Sequence, residues 1–325
     1  MGIRIQKQGM ADSLRDGGRF GFQHLGIPPS GVMDPMALFV ANTLVGNEPD
    51  TAVLEMHFPA PIIEFETTTL IAISGADFDA SIDGVEIAIN QPIIVTANSV
   101  LRFSKILAGA RAYLAVKGGF VADHWLESDG TQLLVGRGGF KGRNLQKNDQ
   151  LAFKQTFNYH IEEPSLLPWR ANVADCYLGK SIQMIEGPEF KLLNDASKKI
   201  VRENSFVISN NSNRMGFRMQ GASLELREGY ECLSSAVSMG TLQLLPDGST
   251  ILLMADHQTA GGYHRIAHAS SAAIPSLAQL NVGETIQYQF ISLETAEQTL
   301  MKQQRYLIQL AHACNFRLHE YLANE

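Results

Sequence analysis

The chain has 325 residues, of which 45% are hydrophobic and 18% charged, a composition typical of a globular protein that is long enough for two domains. Its formal net charge of −7 argues against nucleic acid or an anionic membrane as a partner. The three cysteines are far apart and form no paired motif, and no apolar run is long enough to cross a bilayer, so we expect a cytoplasmic protein.

Short runs of alternating apolar residues dominate the first half of the chain and predict β-strands. One such strand lies within residues 1–10, and several follow at close spacing within residues 52–103, which is typical of a barrel or sandwich. Between these segments we expect one helix. Asp34 is suited to its N-cap, Pro35 to its first turn and Gly46 to its C-terminal end.

A domain boundary is expected within residues 155–180, where two prolines interrupt the apolar pattern. It divides the chain into an N-terminal β-barrel unit, residues 1–160, and a C-terminal β-barrel unit, residues 161–325. Residues 293–322 change to a helical period and predict an amphipathic helix that packs against the core or a partner.

Two apolar strands end in polar residues followed by a Gly-Gly pair. The first ends in Lys117, and the second is followed by Asp256, Gln258 and Thr259. Glycines at such positions allow a ligand to approach the backbone closely, although an ordinary polar hairpin tip is the alternative. A strand of similar sequence pattern follows each of these two segments. This similarity indicates a weak internal repeat of two β-rich units.

Metal and phosphate sites find little support in the sequence. His264 and His268 lie in a strand-like segment, where residues four apart are about 13 Å from each other, too far to share one metal ion. The glycine-rich residues 136–143 match neither a Walker A loop nor a dinucleotide fingerprint. We therefore predict no metal site, and we favour a β-turn with solvated basic side chains.

Together, several segments resemble one family, the allophanate hydrolase subunit 2 or biotin-dependent carboxyltransferase-like group, which includes the C subunit of prokaryotic 5-oxoprolinase. The resemblance covers nearly the whole chain, in order. The segments that carry it are Asp16–Gly21, Ser30–Ala37, Ala41–Asn47, Val116–Gly119, Gly138–Arg143, Ser212–Arg218 and Ala255–Tyr263.

The resemblance implies a mainly β fold of two cyclophilin-like β-barrel units with short helices and a C-terminal amphipathic helix. It implies the C subunit of a complex that opens the ring of 5-oxoproline to L-glutamate with ATP hydrolysis, inactive or weakly active alone. Expected partners are a KipI-like B subunit and a LamB/YcsF-like A subunit. The complex uses ATP, and no cofactor is assigned to this chain.

Two other functions remain open on the sequence. One is the carboxyltransferase half of a biotin-dependent urea carboxylase or allophanate hydrolase-type system, which requires biotin. The other is a non-enzymatic antagonist of a histidine-kinase inhibitor protein.

The predicted site combines hydrogen-bond donors that polarise an amide carbonyl with acids that orient them or act as a general base. We expect Lys117 to be exposed and to converge on one cleft with the segment Asp256–Tyr263. Capping by Asp34, an ion pair of Arg214, backbone bonding by Asn42 and packing of Tyr263 are the alternatives. The predicted catalytic residues are Lys117, Asp256, Gln258 and Tyr263, and the predicted substrate-binding residues are Asp34, Asn42, Asn47, Arg214, Thr259, Gly261 and Gly262.

Overall fold

A computed structural model describes residues 1–227 and 232–323, which form two compact units. The first unit comprises Met1–Arg19, Asp34–Val173 and the C-terminal segment from Tyr306, and the second comprises Phe20–Met33 and Ala174–Arg305. The division into domains at residue 160 stays a prediction. No helix among the described residues is both long and apolar enough to cross a membrane.

Among the described residues, the first unit contains twelve strands in two six-stranded sheets, one short helix and the C-terminal part of a long helix. The strands are β1 (Gly2–Lys7), β2 (Ser13–Arg15), β3 (Val53–His57), β4 (Ile62–Phe65), β5 (Thr69–Asp77), β6 (Ala80–Ile82), β7 (Val85–Glu86), β8 (Pro92–Val95), β9 (Val100–Phe103), β10 (Ala108–Val116), β11 (Gln150–Ala152) and β12 (Ser165–Leu166), and the helix is α1 (Pro35–Leu44).

The first sheet has the strand order β11-β1-β4-β9-β6-β7 and the second β12-β8-β5-β10-β3-β2. Neighbouring strands are antiparallel, as in the pairing of Tyr113 with both Glu55 and Ser74. One apolar cluster draws on both sheets, with Ile3 and Phe65 from the first and Leu54 and Leu114 from the second. These side chains have at most 1% exposure, so their burial stabilises the pairing of the strands.

The second unit contains a closed seven-stranded barrel with the order β13-β20-β17-β18-β15-β14-β21. A two-stranded ribbon, β16-β19, and two helices accompany it. The elements are β13 (Ser181–Glu186), α2 (Asp195–Glu203), β14 (Ser205–Ile208), β15 (Gly216–Gln220), β16 (Ser235–Ala236), β17 (Thr241–Leu244), β18 (Thr250–Leu253), β19 (Ala260–Gly261), β20 (His264–Ala269), α3 (Ile274–Ala278) and β21 (Thr285–Phe290).

Strand β13 closes the barrel because it pairs antiparallel with β20 and parallel with β21. Alternation along the strands fills the interior. In β21, Ile286 and Tyr288 are buried, whereas Thr285, Gln287 and Gln289 face outward. The buried members belong to a single apolar cluster of the second unit.

The chain ends in a long helix, α4 (Leu293–Ala323), as the helical period of the sequence predicts. The mainly β fold with short helices is likewise confirmed, and the second unit holds a closed barrel. The two matched segments interpreted as a repeat, residues 145–153 and 280–288, contain β11 and β21, each after a turn with an acidic residue.

Asp12 is a buried acid of the first unit, 1% exposed, whose Oδ2 accepts a hydrogen bond of 2.8 Å from the Gly9 N–H. Burial raises the pKa of Asp12 to about 7, although the Gly9 hydrogen bond opposes this shift. The folded state therefore holds the proton more tightly than the unfolded chain between about pH 4 and 7, and stability declines as the pH rises through that window.

We predict that Asp12→Asn, which cannot ionise, becomes more stable relative to the wild type as the pH is raised from 5 to 8. Thermal unfolding at several pH values measures the difference. Asp50→Asn, at an exposed acid, is the control and should show a difference that does not vary in this way. A pH-independent difference between Asp12→Asn and wild type would contradict the assignment.

Candidate functional site

Asp34 caps the N-terminus of α1, which is the capping role that its sequence context allows. Its Oδ1 accepts hydrogen bonds from the backbone N–H groups of Met36 at 3.0 Å and Ala37 at 2.9 Å. Its own backbone N–H donates to Tyr113 Oη at 3.0 Å. The residue is 0% exposed, so the carboxylate serves the local structure of the first unit.

Asn42 and Asn47 connect the end of α1 to the segments that follow it and to the end of β10. Asn42 Nδ2 donates to the carbonyls of Pro49 at 3.1 Å and Thr51 at 2.7 Å. Asn47 Nδ2 donates to Asn42 Oδ1 at 3.2 Å and to the Val116 carbonyl at 2.8 Å. Both side chains are thus engaged within the first unit, and any substrate would have to displace one of these bonds.

Lys117 lies beside the same helix end and is half-buried, so the expectation of an exposed lysine is wrong. Its Nζ donates a 3.0 Å hydrogen bond to the carbonyl of Gly46. The ammonium thus lies just past the C-terminal end of α1, where the negative end of the helix dipole favours a positive charge. Desolvation by burial lowers the pKa of Lys117.

We predict that Asn42→Ala destabilises the protein by roughly 1–3 kcal/mol, because two backbone carbonyls beside this buried side chain lose their donor. Urea unfolding followed by circular dichroism gives the change in free energy. The matched control is Asn315→Ala at an exposed position of α4, where little change is expected. Equal stability of Asn42→Ala and the control would show that the amide does not hold this region together.

In the second unit, Arg214 and Asp256 form an ion pair with two hydrogen bonds. Arg214 Nε lies 2.8 Å from Asp256 Oδ2, and Arg214 Nη2 lies 3.2 Å from Oδ1. The same Nη2 donates to the Gly31 carbonyl at 2.5 Å. The side chains retain 14% and 10% exposure, so the pair is largely desolvated and fixed in orientation.

Gln258 contacts a glutamine that the sequence analysis missed. Its Nε2 donates to Gln243 Oε1 at 3.1 Å, and Gln243, on β17, is 0% exposed. The alternation Leu242-Gln243-Leu244 is a signal that could have marked Gln243, since it faces away from its two apolar neighbours. Gln243 and Gln258 are 15 positions apart along the chain, so their hydrogen bond could not be predicted from the sequence.

Gly262 and Tyr263 line a cavity of about 570 Å³ in the second unit. The other lining residues are Ser223–Leu226, Leu244–Gly248 and His264 at the start of β20. Tyr263 is 43% exposed, and a cavity of this volume suits a small-molecule ligand. Thr259 accepts a 3.2 Å backbone hydrogen bond from Val237 through its carbonyl, next to the ribbon β16-β19.

Two histidines near this segment have lowered pKa values. Desolvation by burial lowers the pKa of His257, which is 3% exposed, and that of His268, whose pKa the neighbouring His257 lowers further. His268 Nδ1 lies 3.3 Å from Thr241 Oγ1. Burial thus disfavours the protonated form of both rings in the folded second unit.

We predict that stability falls as the pH drops below about 6.5, the ordinary histidine pKa, because the unfolded chain then binds more protons than the folded one. His268→Gln should lessen the fall between pH 7 and 5. Thermal unfolding of the wild type and of His268→Gln between pH 7 and 5 measures the loss of stability. His312→Gln, at an exposed position of α4, is the control. An identical pH profile for wild type and His268→Gln would refute the role of this ring.

The predicted site residues divide between the units. Lys117, Asp34, Asn42 and Asn47 belong to the first, and Arg214 and the segment Asp256–Tyr263 to the second. Their convergence on one cleft stays a prediction. Within residues 1–227 and 232–323, no group of three or more His, Cys, Asp and Glu side chains is arranged to hold a metal ion.

Comparison with known protein families shows the class to which the chain belongs. Residues 25–290 match the family model described as carboxyltransferase domain, subdomain A and B, and the chain belongs to this family. The family resemblance inferred from the sequence is thus confirmed.

The chain is also similar to individual named proteins. The chain is 35% identical to the 5-oxoprolinase C subunit of Escherichia coli K12 over 317 residues, which covers 98% of this chain and 99% of that one. It is 34% identical to the 5-oxoprolinase C subunit of Haemophilus influenzae over 298 residues, 92% of this chain and 94% of that one. The crystal structure of K. lactis urea amidolyase superposes with a TM-score of 0.85 at 27% identity, over 94% of this chain but 20% of that one.

Proposed function

We propose that this chain is the C subunit of an ATP-dependent 5-oxoprolinase, part of a complex that opens the lactam of 5-oxoproline to L-glutamate. One observation carries the proposal. The alignments with two proteins named as the C subunit of 5-oxoprolinase cover 94% and 99% of those relatives, whereas the urea amidolyase match covers only a fifth of a much longer chain.

The chemistry of the second unit supports this function. Water adds to the lactam carbonyl carbon, the C–N bond breaks, and the ring nitrogen takes a proton to become the amine of glutamate. Negative charge develops on the carbonyl oxygen, so fixed N–H donors lower the barrier. Gln258 supplies an amide donor, and the carboxylate of Asp256 is held in place by Arg214.

Tyr263 and the glycines complete the proposed site. We assign to Tyr263, which is partly exposed at the cavity, the donation of a proton or packing on a small ligand. Gly262 is exposed and keeps the backbone accessible there, whereas Gly261 is buried. We further propose that Lys117 acts in the same reaction. Its lowered pKa suits a group that exchanges a proton, provided the ammonium leaves the Gly46 carbonyl.

The proposed assembly needs other chains. We propose that a KipI-like B subunit and a LamB/YcsF-like A subunit complete it, that the complex uses the ATP, and that this chain acts in the cytoplasm. We also propose that both units of the chain are cyclophilin-like barrels, which the closed barrel of the second unit supports.

Carboxyl transfer to an amide such as urea is the second candidate. The family description and the superposition on urea amidolyase favour it. The same donors would polarise the urea carbonyl, but biotin, its carrier and its carboxylase would have to come from other chains.

We predict that the chain alone lacks substantial activity and that coexpression with the A and B subunits yields ATP-dependent release of glutamate from 5-oxoproline. Chromatographic detection of glutamate and coupled detection of ADP give the rate. The A and B subunits without this chain are the control. The opposite outcome is ATP hydrolysis that requires bicarbonate, urea and a biotin carboxylase, together with no activity on 5-oxoproline. That outcome would establish carboxyl transfer as the function instead.

A further inference from the structure

Three large apolar side chains lie exposed next to one another in a turn of the first unit, residues 133–136. They are Leu133, Leu134 and Val135, which we call the apolar tip, and Leu134 and Val135 are 69% and 54% exposed. Apolar residues that are exposed singly are common on protein surfaces, whereas neighbouring ones are typical of a surface that contacts another molecule. The apolar tip is therefore a candidate contact with another chain.

The apolar tip is held in shape by the residues on either side of it. The N–H of Gln132 donates to the Arg137 carbonyl at 2.7 Å, and the N–H of Arg137 donates back at 3.2 Å. Gln132 Oε1 also accepts from the N–H of Leu134 at 3.2 Å. At the base of the turn, the buried Arg15 donates to the Thr131 carbonyl at 2.7 Å. A partner would therefore meet a preorganised turn, which reduces the entropy lost on binding.

The first unit also contains a cavity of about 440 Å³ with an apolar wall. Ile82, Ile87 and Ile93 are its buried lining residues, whereas Val85 is 64% and Leu166 43% exposed. A cavity of this size accommodates a drug-sized group, and so also the side chains of a loop tip. A chain seated in it would remove the exposed valine and leucine from water, which stabilises the contact.

Acidic side chains line the exposed part of this cavity, which we call the acidic cavity. They are Asp83, Glu162 and Glu163, and none of the described lining residues is a lysine or an arginine. The apolar tip, by contrast, is followed by the exposed Arg137. An apolar group that carries a positive charge suits such a cavity, whereas an anion is repelled. The apolar tip and the acidic cavity are thus complementary in polarity and in charge.

A second copy of the chain can supply both partners of this contact. Each copy has a formal net charge of −7, so two copies repel each other except where opposite charges meet. Arg137 and the acidic cavity provide such a place. The apolar tip and the acidic cavity belong to the same unit, so two copies can exchange them in both directions. Closed two-fold dimers are the commonest oligomers of soluble proteins.

We propose that the apolar tip of one copy of this chain binds in the acidic cavity of a second copy. Arg137 then faces Glu162 and Glu163, and two such contacts, related by a two-fold axis, hold a dimer together. This inference concerns the assembly of the chain and does not depend on the proposed function.

The test uses the purified full-length chain in sedimentation velocity over a range of concentrations. We expect a reversible equilibrium between monomer and dimer. Leu134→Asp, which puts a negative charge on the apolar tip, should raise the dissociation constant about tenfold or more. Val282→Asp, at an exposed valine in a turn of the second unit, is the matched control and should change it less than about twofold. Thermal unfolding of each variant checks that it remains folded.

Mixing two defective variants distinguishes the proposed contact from other modes of association. Val85→Lys removes an apolar side chain from the acidic cavity and adds a charge that repels Arg137, so this variant and Leu134→Asp should each associate weakly. Their mixture keeps one intact contact, between the apolar tip of Val85→Lys and the acidic cavity of Leu134→Asp. The mixture should therefore associate more strongly than either variant alone.

Two results would overturn the inference at once. They are a mixture that associates no better than its components and a wild-type chain that stays monomeric at every concentration. A dimer that survives in Leu134→Asp, with binding to the B subunit lost instead, would overturn it as well, because the apolar tip would then belong to the contact with that other chain.

Discussion

The parallel pairing of β13 with β21 is the contact on which the second unit depends. Without it the seven strands would form an open sheet with two free edges, and closure gives every strand two neighbours. Strands β17 and β18 lie next to each other in this closed sheet and pair antiparallel. Gln243 on the first strand and the polar segment after the second are then held by the sheet, and a preorganised donor set can be built there.

Two ion pairs hold charged side chains of this unit in place. Arg214 is matched by Asp256 and Arg265 by Glu189, and each pair has two hydrogen bonds that offset part of the cost of desolvation. Burial also lowers the pKa values of His257 and His268 and so disfavours a charge on either ring.

Short-range patterns in the sequence were sufficient to predict parts of the structure. Asp34 and Pro35 marked the start of α1 because capping depends on residues three or fewer positions apart. Lys117 was judged exposed because its contact, Gly46, is 71 positions away and only the folded chain brings them together. Gln243 was overlooked for the same reason, since an alternating strand shows which face a residue occupies and not what covers that face.

Leu318 gives the end of the chain a structural role within the first unit. A side chain on Gly46, which has a φ of +65°, would meet Leu318 Cδ2 at 2.8 Å and Lys117 Nζ at 3.1 Å, so the last turns of α4 cover the end of α1. Cys314 is also buried, and Tyr321 packs edge-on against Trp169 with ring centroids 6.0 Å apart. Removing the last turns of α4, Leu318 included, would thus disturb residues near position 46, which lie far from them in the sequence.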